Sequence, residues 1–148
     1  MMTKKEIAGG FFSEGYNCSQ AVIAAFSEMH KLDENTALKL ATGLGSGMRV
    51  GSVCGVVSGA IIVIGLLFGN GIQNDATAKE KTNKLVEMFI KRFENDSDSI
   101  YCKDILNYDV SKEEELAIIK EKSLFTTICP DVIGKAIDIL EEILEEES

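Results

Sequence analysis

Val53-Cys54-Gly55-Val56-Val57-Ser58-Gly59-Ala60-Ile61-Ile62-Val63-Ile64-Gly65-Leu66-Leu67-Phe68-Gly69 holds one polar side chain, Ser58, and no charge occurs between Arg49 and Asp75. As a helix this apolar run is about 26 Å long, short against a hydrocarbon core of roughly 30 Å. Its small-residue pairs, Gly55 with Gly59 and Gly65 with Gly69, suit close helix contact in a bilayer or in a crowded protein core. The rest of the chain decides between these settings. Its other helical segments are amphipathic, and each must bury an apolar stripe against something. The expected fold is therefore an all-α bundle of about five to seven helices around a central apolar helix, Cys54 to about Phe68. Ile61 to Phe68 lie at its centre, and no membrane span is expected.

Outward from this helix, boundaries come from caps and glycines, because the chain has a single proline. Ile7, Phe11 and Phe12 recur at helical spacing up to Gly15. Asn17 can cap a second helix with the stripe Ala21, Val22, Ala25, Phe26 and Met29, and Asp33 opens a third carrying Ala37, Leu38 and Ala41. Thr77 with Glu80 reads as a capping box before Leu85, Val86, Phe89, Ile90 and Phe93. Ser111 with Glu114 repeats that signature before Leu116. Glu94 to Ser99 reads as an exposed loop, and Pro130 as a first-turn residue of the last helix. With no repeat and no low-complexity linker, residues 1–148 read as a single domain.

Fifteen basic against 24 acidic residues give a net charge of −9, and six acidic side chains between Asp138 and Glu147 form an acidic helix end over 138–148. The remainder carries no run of Lys and Arg of the kind that binds phosphates, so nucleic acid is not an expected partner. At the negative pole of the helix dipole those acidic residues are expected to fray in solvent. The single His30 provides no His-rich zinc site and little acid–base machinery. No apolar stretch of signal-peptide length precedes Phe11, so export is not indicated and a cytoplasmic, reducing setting is expected for the four cysteines.

Those cysteines are Cys18, Cys54, Cys102 and Cys129, and none lies in a C-x-x-C pair. Spacing therefore says little, but position says more. Cys18 follows the cap Asn17, Cys54 follows a Gly-rich turn, Cys102 opens Cys-Lys-Asp-Ile-Leu, and Cys129 precedes Pro130, so all four are expected at helix N-termini. Free N–H groups and the helix dipole there favour thiolate over thiol. The stretch Gly43-Leu44-Gly45-Ser46-Gly47-Met48-Arg49-Val50-Gly51 lacks the Lys-Ser or Lys-Thr of a phosphate loop. It reads instead as a tight turn with close backbone approach. Gly55 and Gly59 leave room for another helix or a cofactor beside Cys54, and Arg49 is the nearby cation that could balance a negative centre. On these grounds Cys54 is expected to be the best-stabilised thiolate.

Phe12 to Val22 with its Asn17-Cys18-Ser19-Gln20, then Gly45 to Arg49, then Cys54-Gly55-Val56-Val57-Ser58-Gly59-Ala60, then single cysteines at 102 and 129, resemble the C-GCAxxG-C-C family of redox-active proteins. The likeness spans Phe12 to about Leu140. The family's Cys-Gly-Ala is Cys54-Gly55-Val56 here, which adds two methyl groups and removes no reactive atom. The resemblance implies redox chemistry at the cysteines, with a redox partner protein or oxidoreductase as counterpart. Three arrangements follow. Cys18, Cys54, Cys102 and Cys129 converge on an iron-sulfur centre, [2Fe–2S] in preference, for electron transfer, with Gly55 and Gly59 beside it. Alternatively the thiols work without a cofactor, Cys54 being the catalytic nucleophile of thiol/disulfide exchange. In the third, a tetrahedral zinc ion staples the bundle. A monomer and a homodimer are both open.

Overall fold

A computed structural model describes all 148 residues, and it is all-helical. The helices are α1 (Lys4–Ser13), α2 (Cys18–Ala25), α3 (Ser27–His30), α4 (Glu34–Ala41), α5 (Gly55–Phe68), α6 (Ala76–Ser97), α7 (Cys102–Leu106), α8 (Glu113–Glu121), α9 (Leu124–Thr127) and α10 (Cys129–Glu146). No helix is long and apolar enough to cross a membrane. The apolar helix α5 packs on α2, α6 and α10, as a bundle centre should. It is not enclosed all round, however: Leu66 is 40% exposed, and Ile61, Ile62, Gly65, Leu67 and Phe68 are only half-buried. The helix buried along its whole length is α2, from Cys18 to Ala25. Its side chains are small or short, so α1, α4, α5 and α10 can all approach it. The stripe expected on α2 stops short of Met29, which is 43% exposed.

Two hydrophobic clusters hold the chain together. The larger joins α1, α2, α4, α5, α6 and α10 around buried Phe26, Phe89, Phe93, Ile64, Ile137 and Leu140. Each such side chain contributes about 1.5–3 kcal/mol on burial. The smaller comprises Cys102, Leu106, Val110 and Ile119, covered by Tyr108, Leu116, Leu124, Phe125, Ile128 and Cys129. Cys18 and Cys54 belong to the first cluster, whereas Cys102 and Cys129 belong to or pack on the second. The thiols therefore flank the seam between the main bundle and the α7–α9 cap.

Several boundaries differ from the sequence expectation. Helix α6 is capped by Asp75, whose carboxylate accepts from the Ala78 N–H at 3.1 Å, so the Thr77/Glu80 box is not used. Asp75 lies two residues upstream and captures the first-turn N–H before Thr77 can. The helix then runs on through Glu94–Ser97, read above as loop, and ends where Asp98 turns left-handed at φ 63°. The Ser111/Glu114 box is also absent. Ser111 donates from both its N–H and its hydroxyl to Asp109, and Glu115 accepts from the Asp109 N–H instead. The acidic end is not simply a solvated terminus: helix continues to Glu146, Arg92 donates to both Glu146 oxygens at 2.8 and 2.9 Å, and Lys81 pairs with Glu147 at 3.0 Å.

Candidate functional site

The four cysteines stand where the sequence puts them. Cys18, Cys102 and Cys129 are the first residues of α2, α7 and α10, and Cys54 is the N-cap of α5. They line one cavity of about 320 Å³. The first three are buried, and Cys129 is partly so.

Local chemistry explains each position. Asn17 accepts from the Gln20 N–H while Gln20 accepts from the Asn17 N–H, both at 2.9 Å, which closes a capping box around Cys18. The same two side chains reach across to the end of α4. Asn17 Nδ2 donates to the Ala41 and Thr42 carbonyls at 3.3 and 2.9 Å, and Gln20 Nε2 donates to the Leu38 carbonyl at 2.9 Å. The cap thus satisfies orphan groups at two helix ends and fixes where Cys18 points. Gln20 was not singled out from sequence, although Asn-x-x-Gln is a legible capping signature.

Cys54 and Cys102 are brought together by a short antiparallel pairing. The Cys54 N–H donates to the Ile100 carbonyl at 2.6 Å and the Cys102 N–H to the Ser52 carbonyl at 2.7 Å, flanking a bridge between Val53 and Tyr101. Side chains alternate across such a ribbon, so both cysteines share its inner face while Tyr101 stays 43% exposed.

Gly55 and Gly59 admit α2, and Gly55 also lines the cavity. A Cβ on Gly55 would lie 2.6 Å from Cys18 Sγ, and one on Gly59 would lie 2.9 Å from the Ser19 carbonyl oxygen. The Cys54-Gly55…Gly59 pattern is therefore the groove into which the N-terminus of α2 settles. The Gly-rich stretch does the same from the other side. A Cβ on Gly45 would fall 2.7 Å from the Asn17 Cβ. Ser46, Gly47, Met48 and Arg49 then follow with φ of 56°, 60°, 58° and 66°, a continuous left-handed turn closed by the Ser52 N–H donating to the Gly47 carbonyl at 3.0 Å. Left-handed backbone costs about 1–2 kcal/mol for each non-glycine residue, so this turn is held by its surroundings. It presents the Ser46 N–H to Cys18 and brings Arg49 to the cavity.

The thiols are electrostatically unequal. Interaction with the neighbouring Cys54 thiol, aided by the backbone N–H groups of Ser46, Ser19 and Cys18, holds Cys18 below the ordinary thiol value against its burial. The same interaction, then burial and the Cys18 charge, push Cys54 well above it, with the Val56 N–H opposing. Burial, then the Cys18 and Asp109 charges, raise Cys102 to about 11. Burial followed by Cys18 and Cys102 raises Cys129 to about 12. These directions, Cys18 lowered and Cys54 raised, run opposite to the helix-start expectation for Cys54.

A metal ion demands three or four ligands at bonding distance. No three His, Cys, Asp or Glu side chains form such a group, so the thiols as they stand are not spaced for a single zinc ion, although four thiols are the right donor chemistry for zinc or for a cluster. Besides the cysteines, the cavity wall is mainly apolar, including Phe12, Tyr16, Ile105, Leu106, Phe125 and Val132. None of these was singled out as a site residue from sequence, since each reads only as a core or surface apolar residue.

The profile of a family described as "Putative redox-active protein (C_GCAxxG_C_C)" matches residues 16–143. Searches of curated proteins and of solved structures each gave no match.

Proposed function

Because the chain belongs to the C_GCAxxG_C_C family of redox-active proteins, we propose that it is a thiol-based redox protein in which Cys18 and Cys54 are the reacting pair. The observation that carries this reading is that Cys18 and Cys54 are both buried and line one cavity, with Cys18 Sγ lying against Gly55, the residue next to Cys54; their interaction lowers Cys18 and raises Cys54. Thiolate is the form that attacks disulfides and oxidants. Cys18 attacks, and Cys54 resolves the mixed disulfide. The pair gives up two electrons and closes a Cys18–Cys54 bond, while the Cys54 proton leaves with the departing thiolate. Cys102 and Cys129 form the second rank. Both are raised partly by the Cys18 charge, and pairing Cys18 with Cys54 removes that charge, so their own ionisation becomes easier once the first pair is oxidised. A reducing cytoplasm and a redox partner protein that reduces the pair complete this reading.

The roles of Cys18 and Cys54 are here the reverse of the sequence expectation, with Cys54 as resolving thiol. A second reading, an iron-sulfur centre held by Cys18, Cys54, Cys102 and Cys129 and supplying one-electron transfer, is favoured by one observation: all four thiols face one cavity. A stapling zinc ion has no ligand group to support it. The test is anaerobic purification with iron, sulfide and zinc analysis, then mild oxidation and disulfide mapping. A colourless, metal-free protein yielding a Cys18–Cys54 disulfide is expected. Stoichiometric iron and sulfide would replace this reading with the second, and a first disulfide between other cysteines would refute it.

A further inference from the structure

The 320 Å³ cavity is of the size that takes a small organic molecule. Beside the Cys18 thiol its wall has one charged side chain, that of Arg49, an exposed residue, in a chain of net charge −9. Like nine other of the 15 basic residues, Arg49 forms no ion pair, so its guanidinium is open to an external anion. It is also the last residue of the left-handed turn, at φ 66°, a conformation that an arginine adopts only when its surroundings impose it. Phe12, Tyr16, Ile105 and Phe125 supply an apolar wall, and the sulfur atoms supply a reactive one.

We infer that this cavity binds a small dithiol, or its cyclic disulfide, with an apolar body and a single carboxylate, the carboxylate pairing with Arg49 and the sulfur atoms meeting the Cys18–Cys54 pair. The inference rests on the thiol reading for its chemistry, but not for the binding. In the oxidised protein a thiolate of the ligand, its proton gone to solvent, attacks Cys18 Sγ, the reverse of the step by which Cys18 opens a disulfide. The Cys18–Cys54 bond breaks, and Cys54 leaves and takes the proton of the ligand's second thiol. That second sulfur then attacks the ligand's own mixed-disulfide sulfur, closing a cyclic disulfide and releasing Cys18 as the thiolate. Two electrons pass from ligand to protein, and of the two ligand protons one ends on Cys54 and one in solvent.

Binding and chemistry are tested apart. Octanoate and octanamide have the apolar body without sulfur, and differ only in charge. Calorimetric titration of the reduced protein should show octanoate binding about tenfold or more tightly than octanamide, the usual effect of a charge-assisted hydrogen bond. In Arg49→Gln that preference should vanish, with the circular dichroism of the variant unchanged. Equal affinities in the unaltered protein, or a preference that survives Arg49→Gln, overturn the inference, as does failure of octanoate to saturate below about 10 mM. The unaltered protein alone therefore decides if the variant does not fold. In the second arm, dihydrolipoate should reduce the oxidised protein about tenfold faster than the neutral dihydrolipoamide at low concentration. If both react at one rate, the anion site is refuted while the thiol reading stands. If octanoate binds through Arg49 but neither dithiol reacts, the dithiol inference is overturned, and the thiol reading is decided separately by the disulfide mapping above.

Discussion

One substitution, glycine to alanine, has three different expected outcomes along α5. At Gly55 the new methyl would meet Cys18 Sγ at 2.6 Å, at Gly59 it would meet the Ser19 carbonyl oxygen at 2.9 Å, and at Gly65 it would meet nothing within 4 Å. Unstrained heavy atoms rest about 3.5–4.0 Å apart, so Sγ must retreat by about 1 Å, and the Ser19 backbone by somewhat less. A sulfur can rotate about χ1, whereas a buried backbone cannot. Gly55→Ala, whose methyl also lies 3.3 Å from the Leu44 carbonyl oxygen and the Ser19 nitrogen, should therefore cost about 1 kcal/mol, chiefly by moving Cys18 Sγ away from Cys54. Gly59→Ala forces α2 and α5 apart. Overpacking at the upper end of about 1–3 kcal/mol, less about 1 kcal/mol gained in helix propensity, leaves a net loss of about 2 kcal/mol. Gly65→Ala keeps only the gain, about 0.5–1 kcal/mol, or roughly 2–4 °C in Tm per kcal/mol. Urea unfolding under reducing conditions measures all three. A Gly59→Ala protein as stable as the original, or a Gly65→Ala protein less stable, would refute the docking of α2 in the α5 groove.

Other outcomes follow from the same contacts. Asn17→Ala removes a cap and the donors to the Ala41 and Thr42 carbonyls, a loss of about 2 kcal/mol by urea unfolding, with Asn17→Asp intermediate because it keeps the cap acceptor alone. Cys102 at about 11 and Cys129 at about 12 stay protonated in the folded protein where the unfolded chain has lost those protons. The folded state therefore binds more protons above about pH 9, and stability should fall there as pH rises, by about 1.4 kcal/mol per pH unit for each such thiol. Cys129→Ser, which does not titrate in that range, should make the alkaline slope shallower by about that amount. Arg92→Ala breaks the exposed bidentate pair with Glu146 and should cost no more than about 1 kcal/mol, less in high salt, as seen in thermal melts at two ionic strengths.

The helix-start placement of Cys18, Cys54, Cys102 and Cys129 was legible because caps, glycines and one proline mark those boundaries locally. So was the need for small residues at Gly55 and Gly59, though not that α2 would occupy the space. What escaped depended on partners distant in sequence. Asp75 outcompetes Thr77 for the first turn of α6 through a choice between neighbouring acceptors that pattern alone does not rank. The left-handed turn at Ser46–Arg49 contradicts the intrinsic preference of Ser, Met and Arg, and exists because Gly45 is pressed on Asn17 and Gly47 on the Ser52 backbone. The acidity of Cys18 over Cys54 needed the Ser46 N–H, 28 positions along the chain, and the Cys54 proton, 36 along. A helix-dipole argument treats all four thiols alike, whereas their burial and their effects on one another do not.

The most direct test of the Cys18–Cys54 pair is site-resolved alkylation of the reduced, metal-free protein with iodoacetamide across a pH series, each cysteine being followed by mass spectrometry. Normalising each rate to its high-pH limit separates acidity from access. Cys18 should label with an apparent pKa below the free-thiol value of about 8.5, and should lose that acidity in Cys54→Ala. The other three should titrate above it. A Cys18 profile at or above the free-thiol value, or an acidic Cys54 beside it, would contradict the assignment of the thiolate on which the whole reading depends.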